Sequence, residues 1–161
     1  FEYQPDEKTL IRIDGIDLSE KIREHHVSKL ASQYSQVPQI RNYLKQKQRE
    51  IAQNKASILE GRDIGTVIFP NAALKIFLTA RAEVRAKRRL EELKAISPNE
   101  NYDFEKILND IVNRDRSDQT RSVAPLVKAE DAIEIDTSEM TIGEIVDQII
   151  GLFNQRKKDF Y

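Results

Sequence analysis

The chain has 161 residues, 39% apolar and 33% charged, with 26 Lys+Arg against 27 Asp+Glu for a net charge of -1. That length and apolar content fit one soluble globular domain, or one core with a small inserted subdomain, and the balanced charge gives no bulk attraction to nucleic acid or to an anionic membrane. The absence of cysteine excludes disulfides, zinc–thiolate sites and thiol catalysis, and with no signal peptide or long apolar span a cytoplasmic protein is expected.

Residues 1–5 read as the interior of a strand or loop, so a piece of a longer chain is expected. Thr9-Leu10-Ile11-Arg12-Ile13 alternates loosely and stops at Asp14-Gly15, a strand followed by a tight turn. Residues 17–22 resemble a short helix opening on a polar cap, and residues 27–34 a second. His25 and His26 fall beside them without a third ligand at helical spacing, so they read as exposed polar residues and no metal site is expected. Pro38 suits a first helical position, and residues 38–53 continue as a long polar segment with Ile40, Leu44 and Ile51 spread along one side.

Ala56-Ser57-Ile58-Leu59 is a short apolar run ending at Glu60-Gly61-Arg62-Asp63-Ile64-Gly65-Thr66. Glycine tolerates dihedrals that other residues avoid, so such a loop lets backbone approach a small ligand, and Arg62 and Asp63 offer one charge of each sign. Ala73-Leu74-Lys75-Ile76-Phe77-Leu78 reads as a strand, so the loop is expected between two strands. A helix is predicted over residues 79–96, with a break at Ser97-Pro98-Asn99-Glu100. Its Arg85, Arg88 and Arg89, at i, i+3 and i+4, make either a solvated face or a basic face able to approach a phosphate chain.

Phe104, Ile107, Leu108, Ile111 and Val112 form a helical stripe. Arg114, Asp118 and Arg121 follow at i, i+4 and i+7; taken alone they would be a surface ion pair worth about 0.3 kcal/mol. Residues 132–136 read as another strand, and Thr141-Ile142-Gly143-Glu144 is a capping box opening a helix striped by Ile142, Ile145, Val146, Ile149, Ile150 and Phe153. Strands alternating with helices predict an α/β layer fold with a largely parallel sheet.

In combination and order these residues resemble bacterial-type cytidylate kinase, a nucleoside monophosphate kinase of the P-loop class. The likeness covers nearly the whole chain. It rests on Gly61-Arg62-Asp63-Ile64-Gly65-Thr66-Val67 with Pro70, on Leu74-Lys75-Ile76-Phe77-Leu78-Thr79-Ala80 leading to Ala82-Glu83, Arg85 and Arg88-Arg89, and on Arg114-Asp115 with Asp118 and Arg121. Pro125-Leu126 and Asp136-Thr137-Ser138 extend it. Upstream, Val27-Ser28, Ser32, Pro38 and Arg41 are similar to the family's nucleotide-binding insert, with Tyr34 and Gln36 where small residues are usual. The resemblance implies a P-loop-type parallel sheet flanked by helices, residues 1–53 belonging to the insert and residues 54–161 to the core, with a helical lid near residues 81–100.

It also implies transfer of the γ-phosphoryl group of ATP to CMP or dCMP, with Mg2+, a reaction that depends on positioning and electrostatic stabilisation. Ser32, Arg41 and Asp63 match residues that read the cytosine, Arg62 and Arg121 those that hold the acceptor phosphate, Arg114 and Asp118 those around its sugar, and Arg85, Arg88 and Arg89 the lid over the donor phosphates. Small-molecule substrates and a monomer are expected, without nucleic acid or membrane partners. The family's G-x-x-x-x-G-K-[ST] loop, which holds the donor phosphates and magnesium, has no match within residues 1–161. The sequence is therefore expected to lack that loop together with the first strand and helix, and to be inactive by itself. The alternative is a CMP-binding or interaction module that is not an enzyme.

Overall fold

The computed structural model describes residues 2–4, 10–23, 25–53 and 56–157, with the side chains of residues 2–4, 10, 23, 25, 26, 28, 29 and 32 outside that description. The chain divides into two units, residues 1–47 and 48–161.

In the first unit, β1 (Glu2–Gln4), β2 (Leu10–Ile13) and β3 (Ile16–Asp17) form an antiparallel sheet in that order, with Glu2 opposite Arg12 and Arg12 opposite Asp17. The β2–β3 turn is the one that Asp14-Gly15 predicts: both residues have positive φ, 51° and 79°, the backbone twist that closes a two-residue hairpin. The helix expected over residues 17–22 does not form. Asp17 stays in the ladder, and its carboxylate accepts from the Ser19 amide at 2.9 Å and the Ser19 hydroxyl at 2.6 Å, a side-chain turn that competes with helix initiation. Ser19 Oγ in turn accepts from the Ile11 amide at 2.9 Å, and one 3₁₀ turn, Lys21–Arg23, follows. The two predicted helices appear as α1 (His25–Tyr34) and α2 (Pro38–Ala52), whose last residues are counted with the second unit.

In the second unit, β4 (Ile76–Thr79) and β5 (Ile133–Asp136) pair in parallel, Ile76 opposite Ile133 and Thr79 opposite Asp136. The chain between them forms α3 (Ala82–Ile96) and α4 (Phe104–Thr120), which pack on each other, and α5 (Ile142–Lys157) follows β5. This is the expected α/β class, with a small parallel sheet. Thr137 extends the ladder by donating its amide and its hydroxyl to the Thr79 carbonyl, at 2.8 and 3.0 Å. Ile68, Ala80, Ala86 and Ile135 are the buried apolar residues among those described.

The run at residues 56–59 is not a strand. Residues 56–60 carry no regular structure and Ile58 is fully exposed. A parallel strand needs a neighbour to receive its amides and carbonyls, and among the described residues β4 and β5 pair only with each other. Among those residues, too, no helix is long and apolar enough to cross a membrane.

The capping box is made as predicted: the Thr141 amide donates to Glu144 Oε2 at 2.8 Å, the Thr141 hydroxyl does the same at 2.8 Å, and the Glu144 amide returns a bond to Thr141 Oγ1 at 3.3 Å. The bond from the Thr141 amide, then that from its hydroxyl, holds the Glu144 carboxyl below its ordinary value of 4.5. A lowered folded value lends stability that is whole above the unfolded value and is lost as pH falls through the folded one. Thr141→Ala is expected to lower the thermal midpoint at pH 7 and to flatten its decline in acid, measured by circular dichroism across a pH series.

Candidate functional site

The Arg62–Asp63 loop enters one turn of π-helix, Ile64–Ile68. The Asp63 carbonyl accepts from the amides of Val67 and Ile68 at 2.8 and 3.2 Å, and the Ile64 carbonyl from Phe69 at 2.7 Å. Wide turns of this kind recur at functional sites because they re-aim side chains locally. Gly61 permits the close entry, since a Cβ there would lie 2.9 Å from Ile64 Cγ1. The far end of the turn is held by Arg49, whose Nε and Nη2 donate to the carbonyls of Ile68 and Val67 at 2.8 and 3.1 Å.

The same loop meets α4. Asp118, its side chain 8% exposed, accepts from Arg62 Nε at 2.9 Å and has Arg114 Nε at 3.9 Å and Arg121 Nη1 at 3.6 Å. Arg121 is 6% exposed at its side chain, and its Nη2 lies 4.0 Å from Asp63 Oδ1. The helix stops at Thr120, one residue short of Arg121, whose backbone is already extended (φ −62°, ψ 141°). Its side chain returns to the cluster because Nε donates to the Ala124 carbonyl at 2.6 Å, while the Leu126 amide binds the Asp118 carbonyl at 2.7 Å. Among the described residues, three arginines against two aspartates leave one positive charge in excess. A part-buried cationic excess of guanidinium forks suits a phosphate or carboxylate anion. Arg62 and Arg114 are about half exposed, so the cluster opens to solvent on their side.

Five predicted site residues, Arg62, Asp63, Arg114, Asp118 and Arg121, are therefore brought together. Arg41 belongs to the first unit, where Nη1 donates to the Ser35 carbonyl at 3.0 Å. Ser32 stands in α1, and its side chain lies outside the described residues. The α3 arginines face protein partners. Arg85 clasps Asp115 of α4 with two bonds, at 3.0 and 2.5 Å, and donates Nε to the Ala80 carbonyl at 3.0 Å. Arg88 donates to Thr137 Oγ1 at 3.2 Å and to the carbonyls of Thr137 and Met140 at 2.6 and 3.4 Å, tying α3 to the chain after β5. Arg89 pairs with Glu92 at 2.6 Å.

Three contributors fall outside the predicted set. Asp115 adjoins Arg114 in sequence and was legible only as part of the motif. Arg49 sits on a polar helix and carried no signal. Lys75 did carry one, a charge inside an apolar strand run.

A family model described as "Cytidylate kinase" matches residues 2–155. The chain is 46% identical over 144 residues to a cytidylate kinase of Fervidobacterium nodosum, covering 89% of this chain and 65% of the relative. It is 47% identical over 148 residues to one of Caldicellulosiruptor bescii, with 92% and 65% covered, and 48% identical over 141 residues to one of Pseudothermotoga lettingae, with 88% and 62% covered. The chain thus spans about 65% of the length of the curated relatives it matches.

Removing the central carboxylate takes a countercharge from beside the buried Arg121, whereas removing the half-exposed Arg62 takes none. Asp118→Ala is expected to cost about 3 kcal/mol or more of unfolding free energy and Arg62→Ala less than about 1 kcal/mol, both read from urea denaturation.

Proposed function

The chain belongs to the cytidylate kinase family, and on that premise we propose that its protein transfers the γ-phosphoryl group of ATP to CMP or dCMP, giving CDP or dCDP and ADP. The observation that carries the reading is the cationic excess of the Arg62–Asp63–Arg114–Asp118–Arg121 cluster. Arg62 and Arg121 hold the acceptor phosphate, where guanidiniums stay charged at any working pH. Arg114 and Asp118 flank the sugar. Ser32, Arg41 and Asp63 match the family's cytosine-reading residues: a carboxylate such as Asp63 suits the exocyclic amine, and a donor such as Arg41 suits the ring nitrogen and carbonyl. Uracil presents a carbonyl where cytosine has its amine, so the Asp63 carboxylate would face an acceptor instead of a donor, and that disfavours UMP.

Residues 1–53 serve in this reading as part of the nucleotide-binding insert and residues 54–161 as the core. Arg85, Arg88 and Arg89 form the lid that closes over the donor phosphates and excludes water. The donor side is not furnished by these residues. No G-x-x-x-x-G-K-[ST] occurs in residues 1–161, and among the described residues no group of three or more His, Cys, Asp or Glu could hold a metal ion. In this reading the 161 residues by themselves do not turn over CMP. The second reading is a non-enzymatic CMP-binding or interaction module without a phosphate loop.

Calorimetry on the 161-residue chain is expected to show CMP and dCMP binding at least about tenfold more tightly than UMP and AMP; equal or tighter binding of AMP would contradict the acceptor assignment. Asp63→Asn, whose amide can donate to uracil, is expected to lower the CMP-to-UMP affinity ratio about tenfold or more, with little change in the unfolding midpoint. Joining a Gly-rich loop segment at the amino end separates the two readings, since ADP forms with CMP in the first and not in the second.

A further inference from the structure

Lys75 interrupts an apolar strand run, and its side chain is nevertheless only 7% exposed. Its carbonyl accepts from the Ile133 amide at 3.0 Å, the bond that opens the β4–β5 ladder. Its aliphatic stem lies over the π turn, since a Cβ on Gly65 would sit 3.3 Å from Lys75 Cδ and 3.6 Å from Cγ. Its ammonium donates to the Pro70 carbonyl and to both Asp131 carboxylate oxygens, each at 2.8 Å. One side chain therefore joins the turn that carries Asp63, the bend after that turn and the bend before β5. The Lys75 hydrogen bond, with the charges of Lys75 and Arg156 adding to it, holds the Asp131 carboxyl below its ordinary value, so it is ionised at neutral pH.

The loop has a second anchor in Asp118 and Arg121, but those are groups that would engage a nucleotide. Lys75 and Asp131 have no such role in the reading above, and their hold on the loop does not depend on a ligand. We propose that Lys75, oriented by Asp131, is a positioning residue that fixes where the loop presents Arg62 and Asp63, and thereby sharpens the distinction between cytosine and uracil. The inference rests on the reading of Asp63 as the cytosine acceptor. Its physical basis is that small displacements of a recognition group, about 1 Å, cost large factors in discrimination.

The experiment compares the 161-residue chain with Lys75→Met, which keeps the stem and removes the ammonium, Lys75→Arg, which restores a cation, and Asp131→Asn. Amide hydrogen exchange at Val67, Ile68 and Phe69 in the ligand-free chain is expected to quicken about tenfold in Lys75→Met and to return within about twofold of the parent in Lys75→Arg. The CMP-to-UMP affinity ratio is expected to fall at least about threefold in Lys75→Met and in Asp131→Asn while helix content by circular dichroism is unchanged. Unchanged exchange, an unchanged ratio, or equal loss of CMP and UMP binding would overturn the inference. If Lys75→Met does not fold, Asp131→Asn decides by the same two readouts. A parent chain with no preference for CMP would sink the acceptor reading instead, leaving the exchange measurement to judge the strut alone.

Discussion

The carboxylate of Asp118 is the point on which the second unit turns. It sits near the end of α4 at the meeting of Arg62, Arg114 and Arg121 and is itself nearly buried. A buried ion of either sign is costly unless paired, so each partner constrains the others. The arginines need the carboxylate to be tolerated next to one another, and the carboxylate needs them to be tolerated out of water. The result is a short polar network that joins a loop and a helix distant in sequence. It keeps its cationic excess because Asp63 and Asp118 together fall one charge short of neutralising it.

Periodicity made much of this legible. The i, i+4, i+7 spacing of Arg114, Asp118 and Arg121 placed the three together, although Arg121 arrives by a hydrogen bond to Ala124 and not by helix continuation. The hairpin at Asp14-Gly15, the capping box at Thr141 and the amphipathic helices were readable because each depends on residues within a few positions of one another. The π turn at Ile64–Ile68 was not, since its register answers to contacts from Arg49 and Lys75, which come from elsewhere in the chain. The run at residues 56–59 misled for the complementary reason. Apolar composition describes what a segment could bury, but a strand also requires a partner for its backbone.

The arginines of α3 show how little a basic stripe says about its employment. In sequence Arg85, Arg88 and Arg89 are equivalent cations on one face. In the fold Arg85 is clasped by Asp115, Arg88 is spread over carbonyls beyond β5, and Arg89 keeps a local partner on its own helix. Paired forks of the Arg85–Asp115 kind are the stronger class of charged hydrogen bond. A phosphate chain approaching this face therefore competes with ligands already in place, and it would displace the exposed Arg89–Glu92 pair with the least loss.

Ala124 places a strained stretch of backbone beside the cluster. Its φ of 50° is left-handed, a conformation that disfavours a residue with a Cβ by about 1–2 kcal/mol, and its carbonyl is the one that receives Arg121 Nε. While that bond lasts, the backbone is held against its own preference. The carbonyl that aims Arg121 is thus set by a backbone conformation that most residues with a side chain avoid.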